Sequence, residues 1–297
     1  MVAKGYSIGL TCPSGNEAAQ EKARRYRRLA LLLPREHGAW GLLLVPMVTG
    51  AGVALRESNH IPPVVLLLIA ALSLFWLRTP LESLLDTSVM KAQTRDERVA
   101  VAITILGLGA LASLSLAALL WSGQNPLLWP IGAAAGAAFL GQALLKQLGR
   151  PARMLSEIVG IIGLTASAPA AYYVVTGKFG ATAWVLWIAN LIFAGDQIHY
   201  VQLRIHTARV EGFRAKLKHG WSFAAGQFVM TAGLTVACLF RLMPAIASIA
   251  FSPLLFRGWF YFIKRPAPLV VRKLGWSELS QAVAFCVLFI AAFVLAK

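Results

Sequence analysis

Glu82 and Asp86 stand four residues apart, just behind Pro80, a residue that fits the first turn of a helix, so both carboxylates fall on one helical face. Two carboxylates on one face can hold a divalent ion, with water and phosphate completing the shell. The alternative is a solvated face paired with Lys and Arg. A third acid, Asp196, is followed by His199, Leu203 and His206, the spacing of a single helical stripe. Asp with two His can ligate a transition metal. An Asp196–His199 hydrogen bond in a polar vestibule is the simpler expectation, and ordinary interfacial polarity is a third. His37 lies in Arg35-Glu36-His37-Gly38-Ala39-Trp40, where Glu36 suits a helix N-terminus and Trp40 a membrane interface.

These residues sort by role. Glu82, Asp86 and Asp196 are candidate metal ligands or bases. His37, His199 and His206 are candidates for proton transfer, because an unperturbed imidazole titrates near pH ~6.5. Arg35, Arg78, Lys91, Arg95, Tyr200, Arg204 and Arg257 are candidates for holding substrate. Arg grips phosphate or carboxylate bidentately and needs no metal. Arg257 lies inside an apolar run, from which its side chain either snorkels to the interface or turns into the bundle. No Ser–His–Asp set, glycine-rich phosphate loop or repeated-Cys metal site occurs in the sequence.

The elements that must position these groups follow from composition. Of 297 residues, 58% are hydrophobic and 13% charged, against about 45–50% and about 25% in a soluble domain. Too little polar surface remains to cover a water-soluble globule. The chain is expected to be an all-α polytopic membrane protein, which excludes a soluble enzyme, a nucleic-acid-binding domain and a disordered chain. The net charge of +16 then reflects loop topology and contact with anionic lipid head groups rather than nucleic acid. Cys12, Cys238 and Cys286 are too far apart for a disulfide framework. No cleavable signal peptide is expected, since the first long apolar run begins near Trp40 behind a basic segment.

Apolar runs long enough to span a bilayer fall at about residues 38–56, 61–77, 99–121, 127–145, 155–175, 181–199, 221–240, 243–263 and 277–296. With the N-terminus inside, all but five of the 28 Lys and Arg lie in inner segments. The exceptions are Arg56, Lys178, Arg241, Lys297 and the intramembrane Arg257. This asymmetry predicts nine spans, N-in and C-out. Residues 1–34 form a basic cytoplasmic segment, and residues 35–297 the transmembrane domain. From about Glu17 the basic segment is expected either as an amphipathic surface helix or as a solvated tail.

The stretch Leu33-Pro34-Arg35-Glu36-His37-Gly38-Ala39-Trp40-Gly41, with Pro46 and Gly50 beyond it, closely resembles the opening of the YwiC-like family of bacterial membrane proteins. Arg78–Leu81 and Tyr200–Ile205 resemble that family more loosely. The resemblance implies a multi-pass protein of the bacterial inner membrane and names no reaction. Nine helices with polar clusters at the inner ends of spans two and six also resemble the UbiA superfamily of intramembrane prenyltransferases. That likeness implies Asp-rich motifs, NDxxDxxxD and DxxxD, holding Mg²⁺ against an isoprenoid diphosphate. Here only Glu82 and Asp86 stand at the first place, and at the second Asp196 is followed by Tyr200 in the fourth position. Three carboxylates among so many cations hold two Mg²⁺ ions poorly. The expectation is therefore a UbiA-like bundle with a cytoplasm-facing cationic cavity for an anionic-headed lipid, a prenyl or other long-chain phosphate, with transferase activity as one outcome. A transporter or flippase for an anionic solute or lipid, and a non-catalytic membrane subunit, are the alternatives.

Overall fold

A computed structural model describes residues 15–33, 37–58, 60–84, 91–122, 126–149, 152–208, 210–264 and 270–296. Among them there is no strand. The helices are α1 (Gly15–Leu32), α2 (His37–Ala54), α3 (Pro62–Leu84), α4 (Arg95–Ser122), α5 (Leu128–Gln147), α6 (Arg153–Thr165), α7 (Ser167–Thr176), α8 (Ala181–His206), α9 (Phe213–His219), α10 (Trp221–Leu239), α11 (Ser252–Ile263) and α12 (Val271–Leu295), with a 3-10 stretch at Ala245–Phe251. Among the described residues, eight segments are long and apolar enough to cross a membrane. The first expected span is α2, whose apolar part, Trp40–Ala54, is shorter. At 1.5 Å per residue such a helix falls somewhat short of a ~30 Å hydrocarbon core.

Two expected spans are not continuous α-helices. The fifth breaks at Ala166 between α6 and α7. The eighth opens as the 3-10 stretch behind Pro244 and becomes α-helical only at Ser252. Pro253 has no N–H to give the Ile249 carbonyl, which instead takes the Ser252 N–H, so the α-helical ladder starts only beyond that point. The sixth extends through His206, past the expected end at residue 199, so Asp196, His199, Leu203 and His206 do share one helix.

The chain forms two compact units. The first comprises residues up to 35 together with 72–111. In it the basic segment is helical and docked. Leu31 packs with Ala92 and Val101, and the Trp76 indole N–H donates to the Leu32 carbonyl at 2.7 Å. The start of α4 is a reciprocal capping box: the Glu97 amide donates to Thr94 Oγ1 at 3.2 Å, while Glu97 Oε2 accepts from the Thr94 and Gln93 amides. Arg27 of α1 pairs with the other oxygen of Glu97 at 2.8 Å, tying the basic helix to the cap.

The second unit, residues 36–71 and 112–297, contains the main core. There α2 packs against α7, α12, α6 and α8, and α12 against the 3-10 stretch. Phe193, Phe251, Phe285 and Phe289 interlock as an aromatic stack among α8, the 3-10 stretch and α12. Buried Asn190 donates to Thr49 Oγ1 at 2.9 Å, a polar bridge between α8 and α2. Lipid offers those groups no partner, so they find each other.

One end of this unit is clasped by Glu57. Tyr172 donates its hydroxyl to one oxygen of Glu57, and Lys178 reaches the other at 3.3 Å. The Tyr172 hydrogen bond, helped by Lys178 and Arg56, holds the Glu57 carboxyl below the ordinary glutamate value. A depressed carboxyl stabilises the fold above its unfolded value and loses that contribution as pH falls through the folded one. Stability of the wild type should therefore decline on acidification just below the ordinary glutamate range. Glu57→Gln should flatten that part of the profile in a detergent-solubilised melting series. Because the pair is partly exposed, the effect stays under about 1 kcal/mol.

Candidate functional site

Arg257 of α11 carries the most costly charge in the sequence, an arginine inside a membrane segment. Its side chain is 8% exposed and turns into the bundle rather than toward the interface. Nη1 donates to both carboxylate oxygens of Glu278 on α12, at 2.7 and 2.6 Å. Nη2 donates to Asp196 Oδ2 on α8 at 3.0 Å. The other oxygen of Asp196 accepts from the Gln227 side-chain amide on α10. The guanidinium also lies over the Tyr200 ring, 4.0 Å from its centroid. Four helices thus converge on one cation, a fork that suits planar carboxylates and an aromatic face together.

A second layer continues from Tyr200. Its ring meets Tyr261 edge-on at 5.9 Å, and Arg204 lies over Tyr261 at 5.1 Å. Among the described residues no carboxylate pairs with Arg204. Lys216, on α9, is 1% exposed, lies 4.7 Å from the Tyr261 centroid and donates to the Lys264 carbonyl at 2.7 Å. Burial, with the Arg204 charge in addition, pushes the Lys216 ammonium below the ordinary lysine value. Asp196 and Glu278 are engaged by Arg257, and neither pairs with Arg204 or Lys216.

The sequence-derived candidates divide accordingly. Asp196, Tyr200, Arg204 and Arg257 are brought together in the second unit. The expected Asp196–His199 hydrogen bond is not formed: Asp196 is turned to Arg257 and Gln227, while His199 Nε2 meets Ser222 Oγ at 3.2 Å. His206 is exposed and bonds the Gln202 carbonyl of its own helix. In the first unit Arg78 Nε pairs with Glu82 at 3.0 Å, the i,i+4 arrangement of a helix face. Lys91 and Arg95 are exposed there. Arg35 and Asp86 lie outside the described residues, and of His37 only its place at the start of α2 is described.

Among the described residues no three His, Cys, Asp or Glu side chains gather as a metal site. Asp196 has both oxygens engaged and Glu82 is paired with Arg78. Asp86, the third candidate ligand, lies outside the described residues. Sequence reading passed over Glu278, Gln227, Tyr261 and Lys216. Glu278 had a signal: it is the lone acid in the last apolar run, and an arginine buried in an earlier run requires a counter-ion.

Apolar helices around a buried arginine–carboxylate network define a multi-pass helical membrane protein. Residues 33–172, just under half of the chain, match the family model of YwiC-like proteins. The match includes the Leu33–Gly41 motif and ends within α7, so Asp196, Arg204, Arg257 and Glu278 lie beyond it, as does the looser likeness at Tyr200–Ile205. No curated protein matches the chain.

Proposed function

We propose that this protein binds an amphiphile with an anionic head, a prenyl or other long-chain phosphate, at the cationic layer around Tyr261. One observation carries the reading: Arg204 rests on an aromatic ring with no carboxylate partner among the described residues, beside the buried Lys216. A guanidinium so placed is ready for a phosphate, which it takes bidentately without a metal. The exposed apolar face of α12, with Trp276, Leu279, Val283 and Val287, is surface that an aliphatic tail can lie along. In this reading the N-terminus and the basic layer face the cytoplasm of a bacterial inner membrane, and UbiA-like binding of an isoprenoid persists without the Asp–Mg²⁺ chemistry.

The test is ligand-induced thermal stabilisation of the detergent-purified protein by geranyl diphosphate and by phosphatidylglycerol, each with and without Mg²⁺. Stabilisation should be independent of Mg²⁺. Arg204→Gln should weaken binding at least about tenfold, the loss of a charge-assisted hydrogen-bond pair. Stabilisation that requires Mg²⁺, or that survives in Arg204→Gln, contradicts this reading. Transport of the same anion is a second reading, favoured by the interrupted fifth and eighth spans, a device of transporters. Flux of the labelled anion into proteoliposomes separates transport from binding alone.

A further inference from the structure

The cations of α1 divide by task. Arg27 pairs with Glu97 at 2.8 Å and Arg28 reaches Asp96 at 3.6 Å, both acids in the first turn of α4. Those two hold the helix to its unit. Lys22, Arg24 and Arg25 are exposed, and among the described residues they pair with no carboxylate. The helix's own acids are Glu17 and Glu21, so its charge is strongly positive.

The apolar residues divide in the same way. Leu31, four residues after Arg27, is buried with Ala92 and Val101. Tyr26, Leu29 and Leu33 recur at i, i+3 and i+7 on the opposite side and stay exposed. Leu33 continues the helical turn, its amide donating to the Leu29 carbonyl at 2.8 Å. Lys22 lies one turn before Tyr26, and Arg25 one turn before Leu29. Two unpaired cations therefore border an uncovered apolar stripe, whereas Arg24, seven residues before Leu31, belongs to the docked side.

The contacts of α1 also fix its level along the neighbouring helices. The Leu32 carbonyl takes the Trp76 N–H, and Trp76 stands two residues before Arg78, the first charge after the apolar run of α3. Arg27 is bound at Glu97, one residue before Arg98, the last charge before the apolar run of α4. Both contacts fall where an apolar run long enough to cross a membrane ends.

We propose that the outward face of α1 lies on an anionic bilayer surface, with Tyr26, Leu29 and Leu33 at the boundary of head groups and acyl chains and Lys22 and Arg25 on lipid phosphates. The long side chains of Lys22 and Arg25 bend from the stripe to the phosphates while their stems stay on apolar surface. An acidic soluble partner would meet the cations but has no need of a stripe placed where two membrane helices end. A second copy of the chain would bring the same cations against themselves. Anionic lipid answers both the charge and the stripe. This face belongs to the first unit and does not depend on the site at Arg204. Two cations on an open helix face bind a charged surface rather than one dissolved head group, so the measurement needs a bilayer.

The experiment is hydrogen exchange of the α1 backbone amides in the full chain, held as a single copy per lipid nanodisc. The discs are made of phosphatidylcholine alone or of equal parts phosphatidylcholine and phosphatidylglycerol. Phosphatidylglycerol should slow exchange along α1 by about tenfold or more, and high salt should cancel the slowing. Lys22→Gln with Arg25→Gln should exchange alike in both kinds of disc. Tyr26→Ser with Leu29→Ser should exchange faster than wild type in the discs with phosphatidylglycerol. Arg27→Gln, which frees the helix from Glu97, should speed exchange in both kinds and keep a difference between them. Arg204→Gln should behave as wild type. Equal exchange of wild type in the two kinds of disc overturns the proposal, as does slowing that survives the Lys22 and Arg25 changes or is lost in Arg204→Gln. Slowing that requires two copies per disc and not phosphatidylglycerol overturns it in favour of a second copy.

Discussion

Arg257→Leu should cost about 3–5 kcal/mol of stability, the expected penalty for removing one partner from a buried ion network. The change leaves the Asp196 and Glu278 carboxylates, 6% and 14% exposed, without their shared cation. It also strips the Tyr200 face. Arg257→Lys should recover only part of the loss, because an ammonium cannot present separate planar donors to two acids. The decisive comparison is the triple variant Asp196→Asn, Arg257→Met, Glu278→Gln. Removing the charges together should restore most of the stability lost in Arg257→Leu, measured by denaturant unfolding in detergent micelles. If the triple variant is as unstable as the single one, the arginine matters through its packing and not through its charge.

Gly50→Ala should be the most damaging single-methyl addition. A Cβ at Gly50 collides with the Ala168 backbone carbonyl, where α2 crosses α7 with nothing but backbone between them. A flexible side chain could swing aside; a carbonyl fixed in its helix cannot. Overpacking of this kind costs about 1–3 kcal/mol and more where the backbone must move. Gly132→Ala is the matched control, since its Cβ would meet nothing within 4 Å. The control should be neutral or slightly stabilising, as alanine gains up to about 1 kcal/mol of helix propensity. Melting temperatures of the two variants, read side by side, check both halves of this expectation.

The apolar runs were legible because a bilayer imposes one length and one composition on anything that crosses it. Each of the nine expected spans corresponds to helical structure. The breaks at Ala166 and before Ser252 were not legible as breaks, although Pro244 and Pro253 marked the eighth span as unusual. Hydropathy is indifferent to whether a run is α or 3-10. Among site residues, Asp196 and Arg257 stood out as charges in apolar surroundings, and they do meet. Their partnership across 61 positions was invisible to local spacing, which instead paired Asp196 with His199 three residues away. Periodicity shows which residues share a helix face; it cannot show which other helix that face meets. Tyr261 and Lys216 were passed over for the same reason.

The order of the three charges along the chain has a consequence for assembly. During synthesis Asp196 emerges first, Arg257 follows 61 residues later, and Glu278 after a further 21. A lone charge entering the bilayer on an unassembled helix is opposed by about 2.5–3.5 kcal/mol at mid-membrane. Arg257 therefore arrives when α8 has already presented Asp196 as a counter-ion. Glu278, in turn, arrives when a fixed guanidinium is waiting for it. Each newcomer has a reason to dock on the helices already in place, so the ribosome's own sequence of delivery helps the last helix, α12, find its seat.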